Sequence, residues 1–177
     1  LFSFHVKDTD ELRYQVAIGR NVVEAFYGMV RLVGKPRQAP PKDYFVEPIF
    51  NSWIEFHTDV TQQGLDDYVD KIRRHGFPCR VIEIDDKWTP TYGDFVFDPK
   101  KFPEPARMID RFHAMGLKVI LWATPFIEKA AENYRVAESN RYLIMDESGK
   151  APYVTQWWNG QATLVDFSNP AAYSWYL

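Results

Sequence analysis

One local grammar occurs twice in this chain and limits what it can fold into. LDDYVDKIRRHG runs into CRVIEID, and EPARMIDRFHAMG runs into KVILWATPFI. In each case apolar residues recur at helical spacing (Leu65, Tyr68, Val69, Ile72; then Met108, Ile109, Phe112, Met115), a glycine follows (Gly76, Gly116), and a short apolar run comes next. Helix, glycine stop and buried strand in that order predict right-handed βαβ crossovers and a parallel sheet. PIFNSWIEF, ahead of the first helix, reads as a further buried strand. Because ligands of parallel α/β folds gather at the carboxyl ends of the strands, the residues there are the first candidates for chemistry.

Those ends are acidic and aromatic. The second run closes on Asp85, Asp86 and Trp88, the third on Trp122, Thr124 and Pro125, and the first carries Trp53. Trp157 and Trp158 fall in QWWNG, a loop tip, just before the strand-like TLVDF. Carboxylates accept hydrogen bonds from hydroxyls, and indoles cover the apolar face of a sugar ring. Each residue also has a plain structural reading: a carboxylate at a strand end caps a loop, and a tryptophan fills the layer between sheet and helices. On an extended backbone Val81, Glu83 and Asp85 share one side and Ile82, Ile84 and Asp86 the other. Only one aspartate can then face inward, and alternation does not say which.

Elsewhere the chain reads as flanking structure. Residues 1–18 alternate weakly, as strands ending a β-rich domain do. Residues 19–47 hold a helix, with Asn21 as cap and Gly34 as stop, and a proline-rich linker, KPRQAPPKDYFVEP. Residues 48–177 carry the α/β pattern, with MDESGK as a hairpin turn and SNPAAYSWYL as a helix capped by Ser168 or Asn169. Both ends look like cuts through a longer polypeptide.

Several function classes drop out. A net charge of −3 with no basic run argues against nucleic-acid and anionic-membrane partners. A single cysteine, Cys79, excludes an internal disulfide framework and a cysteine-rich metal site. His57, His75 and His113 have no metal-ligand spacing, and neither a phosphate-binding glycine loop nor a nucleophile elbow is present. No cofactor or metal is expected. No targeting segment is visible, so a cytoplasmic location is the working expectation, while homo-oligomerisation stays open.

At these residues the chain resembles glycoside hydrolase family 31, the retaining α-glycosidases. IEIDDKW followed by YGDFVFDPKKFPEP is similar to the family's acidic strand motif and the segment after it; VILWATPFI is similar to its third strand, and LVDFSNPAAYSWY to the segment before its fourth. NSWIEF and QWWNG resemble one branch of the family in particular. The resemblance implies an α/β fold, the N-terminal part of a (β/α)₈ TIM barrel preceded by the end of a β-sandwich domain. It implies hydrolysis of terminal α-glycosidic bonds, of α-glucosidase or α-galactosidase type, by retaining double displacement on an oligosaccharide or α-glycoside. Asp85 would bind sugar hydroxyls, Trp122 and Trp158 would wall the pocket, and Trp53 and Trp88 would complete the substrate site. Lys87 and Thr124 depart from residues common in the family and leave sugar preference open. The nucleophile and the acid/base would both lie after Leu177. The alternatives are a carbohydrate-binding protein without catalysis and an α-transglycosylase on the same barrel.

Overall fold

The computed structural model describes residues 14–177, in two units divided along the chain between Pro40 and Pro41. The first unit holds α1 (Val22–Val33). Asn21 caps it by accepting from Glu24 N at 3.0 Å, and Gly34, at φ +85°, ends it. The strands expected over residues 1–18 fall mostly outside the described residues, and residues 14–18 hold none.

The second unit is built on three parallel strands in the order β1 (Ile49–Asn51), β2 (Val81–Ile84), β3 (Lys118–Leu121). A single turn, α2 (Asp43–Val46), precedes them. Helix α4 (Gln62–Arg74) connects β1 to β2 and α5 (Pro105–Ala114) connects β2 to β3, as the repeated grammar predicts. Alternation sorts the strand residues. Phe50, Ile82, Ile84, Val119 and Leu121 enter a core filled by Leu65, Val69 and Ile72 of α4 and Met108 and Phe112 of α5. Arg111 of α5 locks the helices together, donating to Asp66 Oδ1 and Asp70 Oδ1, each at 2.6 Å. Residues of the other parity, Asn51, Glu83 and Ile120 in register, face away from the helices.

Two expected strands are shorter than their sequences imply. The first ends at Asn51 because the Asn51 side chain accepts from Trp53 N at 2.6 Å and starts a helix, α3 (Ser52–Phe56). Trp53 therefore stands in a first helical turn rather than at a strand end. The third breaks after Leu121, where Pro125 supplies no ladder donor. It resumes as β4 (Phe126–Ile127) in a second sheet, which is antiparallel and ordered β4, β6 (Gly160–Leu164), β5 (Thr155–Trp157). Between β4 and β5 lies α6 (Glu132–Ser139), a helix not legible in the sequence. A hairpin turn follows at Asp146–Gly149, where Gly149 N donates to Asp146 O at 2.9 Å. Helix α7 (Pro170–Tyr176) takes Asn169 as its cap, which settles the choice between Ser168 and Asn169. Ile127, Tyr134, Ala137, Leu143, Val165 and Ala172 form the second core.

Candidate functional site

The carboxyl ends of β2 and β3 open into a cavity of about 420 Å³ lined by Trp53, Asp85, Asp86, Trp122 and Trp158. Asp85 and Trp122 reach it by continuing the outward parity of their strands. Trp122 N donates to Ile84 O at 2.9 Å and so extends the β2–β3 ladder by one residue. Asp86 reaches it because the strand stops at Ile84: the backbone bends there, and Lys87 adopts φ +61°. The rule that only one of two adjacent aspartates can face inward holds for extended chain, and this chain is no longer extended.

Both carboxylates are held by neighbours. Asp85 Oδ2 accepts from Asn51 Nδ2 at 2.7 Å and Oδ1 from Asp86 N at 2.7 Å, while Asp85 N donates to the fully buried Ser52 Oγ at 2.8 Å. Asp86, 7% exposed, accepts at Oδ1 from Tyr92 OH at 2.6 Å and from Lys87 N at 2.7 Å. Burial, followed by the Asp86 carboxylate, pushes the Tyr92 hydroxyl far above the ordinary phenol range, so it stays a donor.

Aromatic rings form the opposite wall. Trp158 lies 6.0 Å from Trp122 and 4.3 Å from Trp157 between ring centroids. Trp157 is stacked on Phe126 at 4.6 Å and meets Tyr92 edge-on at 4.8 Å, its indole nitrogen buried without a partner among the described residues. Trp158, by contrast, is exposed. One tryptophan of the pair packs beneath and the other faces the cavity. Trp53 rests against His57 at 5.0 Å.

Trp88 requires a correction. It is 4% exposed, packs in the main core against Phe97, and donates its indole N–H to Trp122 O at 2.8 Å. It braces the end of β3 and stands outside the cavity. The residues that sequence reasoning missed are Asn51, Ser52 and Tyr92. Asn51 stood in view as a polar residue closing an apolar run, whereas Tyr92 lay in a loop whose return path no periodicity reveals. Among the described residues, no group of three or more His, Cys, Asp or Glu side chains could hold a metal ion.

Parallel strands whose ends bring carboxylates and indoles around one cavity define an α/β protein with a polar and aromatic pocket at the strand ends. Residues 50–177 match the TIM-barrel domain of the glycosyl hydrolases family 31, and the chain belongs to that family. It is 34% identical over 167 residues to the myogenesis-regulating glycosidase of Mus musculus, covering 94% of this chain and 23% of that protein. It is 31% identical over 173 residues to the alpha-xylosidase of Emericella nidulans, covering 94% and 21%. Among solved structures, the Flavobacterium johnsoniae dextranase complexed with glucose superposes with a TM-score of 0.72 at 25% identity, over 89% of this chain and 19% of that one. The chain thus spans less than a quarter of the length of either protein relative.

Proposed function

We propose that the intact protein is a retaining, exo-acting α-glycosidase, and that this segment supplies the part of its pocket that grips the terminal sugar. The observation that carries the reading is the convergence of Asp85, Asp86, Trp53, Trp122 and Trp158 on one cavity of about 420 Å³, from four separate stretches of chain. That volume falls within the range of small-molecule sites. Asp85 and Asp86 accept hydrogen bonds from sugar hydroxyls, held in place by Asn51, Ser52 and Tyr92. Trp122 and Trp158 cover the apolar face of the ring and exclude water. The relatives named above, a glycosidase, an alpha-xylosidase and a dextranase, support the same reaction class.

Retaining hydrolysis uses two carboxyl groups about 5–5.5 Å apart, one as nucleophile and one as acid/base. Asp85 and Asp86 are consecutive residues lining the same cavity, so they are not placed to flank a glycosidic bond. Their role is recognition, and the nucleophile and acid/base come from other strands of the barrel. A β-sandwich ahead of the barrel, as the family resemblance implies, belongs to the same proposal.

The test is a panel of p-nitrophenyl α-glycosides of glucose, galactose and xylose on the intact protein, with Asp85→Ala beside the wild type. A charged acceptor that stays bonded through the transition state contributes strongly, so the variant should lose about 10²-fold or more in kcat/KM. Near-unchanged hydrolysis by Asp85→Ala removes that role. Sugar binding without turnover by the wild type would make the protein a carbohydrate binder instead.

A further inference from the structure

We propose that Glu128 is a positioning residue for Trp158, holding the turn between β5 and β6 over the pocket through Asn159. The inference rests on the glycosidase reading and deepens it. Trp158 is 67% exposed at the tip of a hairpin whose last pair is Trp157 with Gly160. Its indole packs against Trp157 and Trp122 and nears the Tyr92 hydroxyl, and where the turn is held sets the rest of its position. One side-chain bond does the holding: Asn159 Nδ2 donates to Glu128 Oε1 at 2.6 Å, a short bond to a charged acceptor.

Glu128 is anchored in turn. Its Oε2 accepts from Tyr92 N at 3.3 Å, and its own backbone N–H donates to Tyr92 O at 2.9 Å. Tyr92 is buried and donates to Asp86. Glu128 therefore links the tip carrying the exposed indole to the tyrosine that fixes the acidic floor. It does not line the cavity, so it acts through Trp158 rather than on the sugar. Without this clasp the β5–β6 pairing still forms, but the tip is free, and binding must reorder it. That cost falls on sugar binding rather than on the chemical step.

Steady-state kinetics of the intact enzyme on an aryl α-glycoside tests this, with the wild type alongside. Glu128→Ala and Asn159→Ala should each raise KM about tenfold and leave kcat within about twofold. Glu128→Gln keeps an acceptor oxygen for Asn159 and gives up only the longer bond from Tyr92 N, so it should restore most of the loss, and Glu128→Ala should add nothing in a Trp158→Ala background. The proposal is overturned by a fall in kcat at constant KM, by a glutamine variant as impaired as the alanine one, or by an effect that persists without Trp158. Should the wild type bind sugar but not hydrolyse it, the glycosidase reading alone fails. The same comparisons are then made on dissociation constants from calorimetry, where the glutamine rescue and the Trp158→Ala background decide.

Discussion

At the scale of single side chains, the 2.6 Å bond from the Tyr92 hydroxyl to Asp86 Oδ1 joins the two chemically different walls of the pocket. The ring of that tyrosine lies against Trp157 and Trp122, and Lys87 Nζ stands 3.8 Å above its centroid. Its proton is held well above the ordinary value of 10.0, first by burial and then by Asp86. The sign of the stability effect follows. Below pH about 10 both folded and unfolded chains keep the proton, and the contribution is complete. As pH rises further the unfolded chain releases the proton while the folded chain retains it, so stability falls. Tyr92→Phe should cost about 1–2 kcal/mol near neutral pH by leaving the buried Asp86 Oδ1 with only its bond from Lys87 N. It should also remove part of the alkaline loss. Denaturant midpoints for both proteins, followed from neutral pH to about pH 11, check this; parallel curves would exclude Tyr92 as a contributor.

At the scale of elements, α6 shows why a helix can be present and yet unreadable. Its N-cap position is Ala131, which has no acceptor. The cap comes from Asp94, far back in the sequence: Oδ2 accepts from Glu132 N at 3.1 Å and Oδ1 from Asn133 N at 3.0 Å. Asp94→Ala should therefore cost about 1–2 kcal/mol, read as a lowered melting temperature, whereas a variant as stable as the wild type would show the cap to be idle. Next to it, Gly93 at φ +105° lies so close to Ile127 that an added Cβ would sit 2.7 Å from Ile127 Cγ2. Gly93→Ala should be the more damaging change, by about 2–4 kcal/mol, since strain and overlap act together. Helices α1, α4 and α7 carry their own caps, and α5 has Pro105 in its first turn and Gly116 just past its end, so all four could be read from local sequence. So could the sorting of Ile82 and Ile84 onto one side of β2, although not that this side meets the core. Where a side chain acted on a distant backbone, or on its own strand end as Asn51 does, periodicity gave no sign. The candidate site divides the same way. Asp85, Trp122, Trp158 and Trp53 stood out by residue type and place, but the burial of Trp88 depended on Phe97 and the β3 terminus, which only tertiary packing brings together.

At the scale of the whole molecule, the parallel sheet is covered by helices on one face only. Parallel strands are normally buried on both faces, and in a TIM barrel the inner face is packed by side chains from the other strands. Here that face presents Asn51, Glu83, Lys118 and Ile120, and Ile49 is 41% exposed. The arrangement gathers the pocket residues around one cavity while leaving much of the inner face, the buried Val81 apart, without packing partners. Residues 41–177 produced alone should therefore bind a hydrophobic dye and melt broadly, since the α4–α5 core is complete but the inner face is not. The same residues inside the intact barrel should bind no dye and melt sharply. A sharp melt without dye binding by the isolated segment would mean that the helix-side core suffices for folding. In the proposed glycosidase, the remaining strands would then be needed only to complete the pocket and supply the catalytic acids.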